Sequence, residues 1–361
     1  MGMVQLFVFG DIEMGAGNIS DDFISDRALS RVIDAAAKRK DKVELILNGD
    51  TFDFIKVPSS AETGRITEDI SLSKIKLIHT AHKRVFESLK AFNKKPNKKV
   101  YFLLGNHDQD LVFPRVQQYL KKQLGPVEFP GTHYNKGGVH IEHGHLHDVV
   151  NRADQPFTWH RGERVLSVPY GSAMVMSSFV DLKEEHPFLE RIHSHKVMFR
   201  LYPPLVGKLT KRSWQHFFLA LKYAVTDRSH PMAKFPSGIV KELYRRWKES
   251  DWGVPDASRR IDLRNLPRLC VLGHKHITKI KKGETTIVLP DTWRDEYILE
   301  GNTGWLRPKR KHYVHIQLEN NNLSWNLVHV PIKRSIWRFK DILKDERKYI
   351  ALAAQEEGFK S

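Results

Sequence analysis

The sequence has little cysteine and no long apolar run, and each absence excludes a class of protein. Cys270 is the only cysteine among 361 residues, so a disulfide framework is excluded. No apolar stretch approaches the ~18–20 residues that a membrane-spanning helix needs. The first apolar run ends in Asp11 and Glu13, so we expect no secretory signal there. These features favour a globular protein of the reducing cytoplasm.

Acidic residues are outnumbered by basic ones. The chain has 59 Lys and Arg against 42 Asp and Glu, a formal net charge of +17. This excess predicts an anionic partner, either a phosphate-containing substrate, a nucleic acid or an acidic membrane surface to which the protein binds peripherally. The alternative is a basic solvated surface with no specific partner.

Strand-like and helical patterns alternate in the N-terminal part of the chain. Short apolar runs at 5–9, 43–47 and 100–104 are typical of buried strands. Between them, the apolar spacing predicts one helix over Ser25–Lys40 and a second that runs from Ile75 to Leu89. This βαβ order predicts an α/β fold with a parallel sheet.

Helical periodicity dominates after residue 150, and strand-like runs resume at Leu269. Antiparallel strands are predicted at Thr285–Leu289, Tyr313–Leu318 and Leu323–Val330, with a hairpin turn at Asn320–Asn322. The tail is predicted to form a basic amphipathic helix over Ser335–Ala354. The predicted parts are therefore a core of 3–150 and 266–334, a helical insertion or lid of 151–265, and a basic C-terminal helix within 335–361.

Polar clusters follow five of the strand-like runs. They are Gly10–Glu13, Asn48–Asp53, Gly105–Asp108, Glu142–His145 and Gly273–His276. Because ligands of open parallel sheets bind beyond the carboxyl ends of the strands, we expect these side chains to meet there. Carboxylates, an amide and imidazoles together predict a site for divalent metal ions.

In this order, the clusters closely resemble the motifs of the calcineurin-like metallophosphoesterases, and the resemblance runs from Asp11 to His276. It implies an αββα sandwich with the helical insertion as a lid. It also implies a hydrolase that uses a pair of divalent cations and an activated water to cleave a phosphate ester or pyrophosphate bond.

The resemblance assigns a role to each matching position. Asp50 would bridge two metal ions, Asp11 and His276 would hold the first, and Asn106, His143 and His274 would hold the second. His107 would act on the substrate as a general acid or phosphate-orienting group. Asp108 would fix the tautomer of His107, and Asp53 would support the site from outside the ligand set.

Glu13 departs from the family pattern, whose first motif is normally D-x-H. If Glu13 binds, the first metal gains a carboxylate, which favours Mn²⁺ or Mg²⁺ over Zn²⁺. Mn²⁺ is therefore the expected ion, with Mg²⁺, Fe²⁺ and Zn²⁺ as alternatives. If Glu13 does not bind, the first metal would be held weakly.

The insertion resembles the lid of the UDP-2,3-diacylglucosamine diphosphatases, a branch of this family that usually has G-N-R-D where this chain has His107. Arg152, Arg161 and Arg164 could then contact phosphate. A nuclease of the same superfamily is the second hypothesis, with Trp214, Trp247 and Trp252 as candidates for base stacking. The third is a non-catalytic scaffold.

Overall fold

A computed structural model describes residues 3–59, 64–233, 235, 238–249 and 267–359 of the chain. Trp252 and the side chain of Trp247, two of the stacking candidates, lie outside the described part. The strands are β1 Val4–Phe9, β2 Lys42–Asn48, β3 Lys98–Leu103, β4 Val127–Gly131, β5 His133–Lys136, β6 Val139–Glu142, β7 Phe157–His160, β8 Glu163–Leu166, β9 Leu269–Leu272, β10 Thr278–Lys281, β11 Thr286–Pro290, β12 Tyr297–Leu299, β13 Trp305–Pro308, β14 Lys311–Glu319, β15 Asn322–Val330 and β16 Trp337–Arg338.

The helices lie between these strands and after the last one. They are α1 Asp26–Ala37, α2 Glu68–Ala81, α3 Lys83–Asn93, α4 Pro114–Leu124, α5 Tyr170–Met174, α6 Val180–Glu185, α7 His195–Leu201, α8 Pro204–Thr226, α9 Ile239–Glu249, α10 Phe339–Ile342 and α11 Glu346–Glu357. No helix in this described part is both long and apolar enough to cross a membrane.

Two sheets pack face to face. The first has the strand order β15-β14-β1-β2-β3-β4, and the second has the order β10-β11-β9-β6-β5. Successive side chains of a strand point to opposite faces. Accordingly, Leu6 and Val8 of β1 face the second sheet, while Phe7 and Phe9 pack in the cluster that contains helices α1 to α4. The predicted α/β fold is confirmed, with two sheets packed against each other and helices on the first.

The strand predictions hold with one correction. The run predicted as an antiparallel strand at Thr285–Leu289 is β11, which pairs antiparallel with β10 but parallel with β9. The β14–β15 hairpin is confirmed, and its turn residues Asn320 and Asn321 have φ of 47° and 68°. Positive φ at both central residues is what a two-residue hairpin turn requires, and asparagine tolerates it.

The second predicted helix is broken at His82 into α2 and α3. His82 is fully buried, and its ring nitrogens lie 2.9 Å from Asp21 Oδ2 and 3.0 Å from Asp26 Oδ1. These hydrogen bonds fix the ring against the first residue of α1 and the segment before it. The break therefore serves a tertiary contact that apolar spacing does not reveal.

The predicted insertion begins with the β7–β8 hairpin and continues as helices α5 to α9. Its apolar side chains do not pack only with each other. Phe188 and Ile192 share a buried cluster with Tyr297, Leu306 and Phe339, which come from later strands and from α10. The boundaries at residues 150 and 266 between the core and the insertion stay a prediction. This shared cluster connects the insertion to the core.

The tail differs from the single basic helix that we predicted. Strand β16 and helix α10 occupy residues 337–342, and α11 begins only at Glu346. The Asp345 carboxylate caps α11 by accepting a hydrogen bond from the Lys348 amide at 3.0 Å. Helix α11 contains three glutamates against one arginine and one lysine, so it is not basic.

Candidate metal centre

The five polar clusters lie at the carboxyl ends of β1, β2, β3, β6 and β9, where the two sheets meet. Five of the predicted ligands have a positive φ: Asp11 at 49°, Glu13 at 56°, Asp50 at 48°, His274 at 70° and His276 at 52°. They are half of the ten non-glycine residues with positive φ in the described part. Such backbone strain clusters at functional sites, where the surroundings hold it in place.

Asp50, His143 and His274 form a compact buried group, with one potential ligand atom from each lying within 4.8 Å of the other two. His143 Nε2 lies 3.1 Å from Asp50 Oδ2, and His143 Nδ1 lies 3.0 Å from the carbonyl oxygen of Asn48. A hydrogen bond donated by Nδ1 to that carbonyl leaves the Nε2 lone pair facing Asp50. This is the orientation that a metal ligand requires.

Asp11, Glu13 and His276, the residues predicted to hold the first metal, form the first ligand group. His276 Nε2 lies 3.3 Å from Asp11 Oδ1 and 3.4 Å from Glu13 Oε1, while His276 Nδ1 lies 2.6 Å from Glu296 Oε1. Separations slightly above 3 Å suit ligands that bind one ion at about 2.0–2.2 Å. Glu296 orients the ring as an outer carboxylate does for many metal-binding histidines.

Glu13 has different neighbours at its two carboxylate oxygens. Oε1 faces His276, whereas Oε2 lies 3.3 Å from Arg294 Nε and 3.6 Å from Lys56 Nζ. Burial raises the pKa of Glu13, and the positive charge of Arg294 opposes that rise. The two cations thus offset the charge that a carboxylate adds at this position.

Four buried polar atoms of these residues have no hydrogen-bond partner within the described part of the chain and could bind metal ions. Asn106 Oδ1, His143 Nε2 and both oxygens of Glu13 have no hydrogen-bond partner among the described residues. Buried polar atoms are nearly always satisfied, so unsatisfied ones at a single place call for a ligand. An amide oxygen, an imidazole nitrogen and carboxylate oxygens are all donors to divalent cations. The residues present therefore fit two such ions.

Asp53, rather than Asp108, is the carboxylate that contacts His107. His107 Nδ1 lies 3.0 Å from Asp53 Oδ1, and the His107 amide donates to Asp50 Oδ1 at 2.8 Å. Asp108 instead accepts hydrogen bonds from the backbone amides of Gly105 and Thr51, at 2.7 and 2.8 Å. The prediction that Asp108 fixes the His107 tautomer is therefore wrong, and Asp108 stabilises two ligand-bearing loops.

The carboxylates of the site shift the pKa values of its histidines. Burial lowers the pKa of His107, but the neighbouring carboxylates, that of Glu13 foremost, raise it to about 9. The Asp50 carboxylate likewise raises the pKa of His143 to about 9 against the effect of burial. Burial raises the pKa of Asp50, but His143 and His107 hold it well below its usual range. Carboxylates that attract protons this strongly would also attract divalent cations.

Sequence reasoning missed several side chains of the site. Asp148 Oδ2 lies 3.3 Å from His274 Nε2. Glu296 contacts His276, and Lys56 and Arg294 contact Glu13, both in the first ligand group. One signal was present, because the polar run 291–296 directly follows β11 and so repeats the pattern of the other five clusters. Asp148 and Lys56 carry no such signal.

The three predicted substrate arginines have other contacts. Arg161 Nη2 lies 3.2 Å from Asp227, Arg164 lies over the Phe157 ring at 4.5 Å, and Arg152 Nε lies 3.6 Å from Asp154. These contacts give no support to a phosphate-binding role.

A narrow cleft opens beside Asn106 and His107. Its walls include the apolar side chains of Ile66, Leu166 and Met176. The insertion supplies Leu166 and Met176, so it forms one side of the space next to His107.

A family model described as calcineurin-like phosphoesterase matches residues 5–278. The chain belongs to the calcineurin-like phosphoesterase family. This family comprises metal-dependent phosphoester hydrolases that bind two divalent metals, in agreement with the donor atoms described above.

Two solved structures resemble the chain at low identity. TT1561 of Thermus thermophilus is 9% identical to this chain, with a TM-score of 0.31. The match covers 90% of this chain and 98% of TT1561. Vacuolar Protein Sorting 29 from Cryptosporidium parvum is 11% identical to this chain, with a TM-score of 0.28. The match covers 91% of this chain and 98% of the Cryptosporidium protein. No curated protein matches the sequence.

Proposed function

We propose that this member of the calcineurin-like phosphoesterase family hydrolyses a phosphate ester or pyrophosphate bond at a centre of two divalent cations. The observation that carries the proposal is the set of buried ligand atoms on Asn106, His143 and Glu13 that have no hydrogen-bond partner among the described residues. Mn²⁺ is the favoured ion, because Glu13 makes the first ligand set rich in carboxylate oxygen.

Each ligand has a place in the proposal. Asp11, Glu13 and His276 would hold the first ion, Asn106, His143 and His274 would hold the second, and Asp50 would serve both. The bound ions would supply Lewis-acid chemistry and a nucleophile made from water at neutral pH. The protein holds these donors in place through the strained loops at the strand ends.

His107 is the proposed general acid. Its Nδ1 lies 3.0 Å from Asp53 Oδ1, so a protonated His107 would have Nε2 available to donate to a leaving group. Asp53 orients the ring through Nδ1.

Turnover of p-nitrophenyl phosphate and bis-p-nitrophenyl phosphate with and without Mn²⁺ tests the proposal. We expect Mn²⁺-dependent turnover that falls at least ~100-fold in Asp50→Asn, because that variant loses the shared ligand. Asp34→Asn is the matched control, since Asp34 is exposed on α1. Metal-independent turnover, or full turnover in Asp50→Asn, would contradict the proposal.

A nuclease is the second candidate, and one observation favours it. Trp214 and Phe218 are 56% and 59% exposed on α8, and their rings stack 5.8 Å apart. Exposed aromatic rings on a basic protein suit base stacking. Competition by single-stranded DNA with a steep salt dependence, reduced in Trp214→Ala, would support the nuclease.

A further inference from the structure

A cluster of buried charges lies beside the first ligand group. Its centre is Asp22, whose side chain is fully buried. Four cations contact this one carboxylate: Lys56 at 2.9 Å, Lys183 at 2.5 Å, Arg191 at 3.2 Å and Arg294 at 2.8 Å. One negative charge cannot offset four positive ones, so further anions must complete the cluster.

Glu190 is one of those anions, and its exposure is unusual. Its carboxylate lies 3.0 Å from Lys56, 3.1 Å from Lys183 and 3.4 Å from Arg294. The side chains of these three cations are 3%, 3% and 9% exposed, whereas that of Glu190 is 37% exposed. Glu190 therefore covers three cations from the solvent side.

The cations of this cluster also border the metal centre. Lys56 and Arg294 both approach Glu13 Oε2, and Glu13 Oε1 faces His276 in the first ligand group. The Glu190 carboxylate and Glu13 Oε2 thus contact the same two cations, so an anion at the position of Glu190 would be one cation away from a predicted metal ligand.

The other anions near these cations are less free to leave. Asp22 is fully buried, and Asp53 is held between Lys56 and His107. Glu13 is proposed as a metal ligand. Glu190 lies on a short 3₁₀ turn, Leu189–Arg191, and can reach water by rotating its side chain. If it leaves, Lys56, Lys183 and Arg294 each lose the anionic partner that faces solvent.

We propose that Lys56, Lys183 and Arg294 form an anion subsite, which Glu190 fills when no substrate is bound and which a second phosphate group of the substrate takes over. The proposal rests on the proposed function and narrows its substrate class to compounds with two phosphate groups, such as diphosphates. The core supplies Lys56 and Arg294 and the insertion supplies Lys183, so substrate binding would draw on both parts.

The test compares methylenediphosphonate with methylphosphonate by isothermal titration calorimetry, in the full chain with excess Mn²⁺. We expect Glu190→Gln to bind the diphosphonate about tenfold more tightly, because the competing internal charge is gone. Binding of methylphosphonate should change less than about twofold, since it needs only the metal centre. Lys183→Met should weaken binding of the diphosphonate alone by about tenfold.

Glu163→Gln is the matched control, because Glu163 of β8 is a partly exposed glutamate that pairs with Arg65. Glu190→Asp is a second variant that keeps the charge and shortens its reach, and it should also favour the diphosphonate. The subsite proposal would be overturned if the variants changed the affinity for both ligands equally, or if no variant changed the affinity for either ligand. Absence of turnover in the wild type together with the expected calorimetric difference would contradict the proposed function and leave the subsite standing.

Discussion

The backbone amide of His274 donates a hydrogen bond to Asp11 Oδ1 at 3.0 Å, although 263 positions separate the two residues. Asp11 follows β1 of the first sheet, and His274 follows β9 of the second. The contact aims the Asp11 carboxylate and joins the two sheets at the candidate metal centre. Both residues have positive φ, so the turn after each strand is shaped for this meeting.

Gly105→Ala should destroy the metal centre. A Cβ at this position would lie 2.0 Å from Asp50 Oδ1 and 2.4 Å from the Asp50 amide nitrogen, so Asp50 would have to move. We expect loss of bound Mn²⁺, measured by elemental analysis, and turnover reduced at least ~100-fold. Gly207→Ala on α8 is the control, because its Cβ would meet no atom within 4 Å. Normal Mn²⁺ content in Gly105→Ala would contradict the role of Asp50.

Glu13→Ala should lower the metal content by about one ion per chain at limiting Mn²⁺, because Glu13 Oε1 faces the first ligand group. Glu13→His should instead shift the preference of that group from Mn²⁺ toward Zn²⁺. Elemental analysis after dialysis measures both effects, with exposed Glu128→Gln as the control. Unchanged occupancy of both metal positions in Glu13→Ala would refute Glu13 as a ligand.

Replacement of Asp108 should change mainly the stability of the protein, and replacement of His107 should change mainly its kcat. Asp108→Asn should lower the free energy of unfolding by about 1–3 kcal/mol, because an amide cannot accept the hydrogen bonds of Gly105 and Thr51 as a carboxylate does. His107→Ala should lower kcat by about 10²–10⁴-fold and change stability little. Urea unfolding and steady-state kinetics separate these effects. A kcat loss in Asp108→Asn with unchanged stability would restore its predicted role beside His107.

His82 should make the stability of the protein depend on pH. Burial lowers its pKa, but the carboxylates of Asp21 and Asp26 raise the pKa of His82 to about 10. Because the pKa of His82 is higher in the folded state than in the unfolded state, protonated His82 adds to the unfolding free energy. This contribution is complete below the unfolded-state pKa of about 6.5 and is lost as the pH rises toward 10. The difference in unfolding free energy between wild type and His82→Gln should be largest below pH 6.5 and shrink above it. A difference that grows with pH would show that His82 is not held as a cation.

The sequence alone determined the strand ends and the chemistry placed on them. Apolar runs followed by carboxylates, an amide or imidazoles identify both the strands and the edge where they meet, because parallel strands deliver their carboxyl ends to one side. The β14–β15 hairpin was equally predictable, since its two asparagines encode a local turn.

Only the tertiary structure decided which side chains surround those ligands. Lys56 and Arg294 at Glu13, Asp148 at His274 and the break of the helix at His82 depend on packing between distant segments. Asp53 rather than Asp108 contacts His107, because the Asp108 carboxylate accepts hydrogen bonds from the backbone amides of Gly105 and Thr51. Hydrogen bonds and ion pairs act over about 3–4 Å, and only the folded chain fixes which groups come that close.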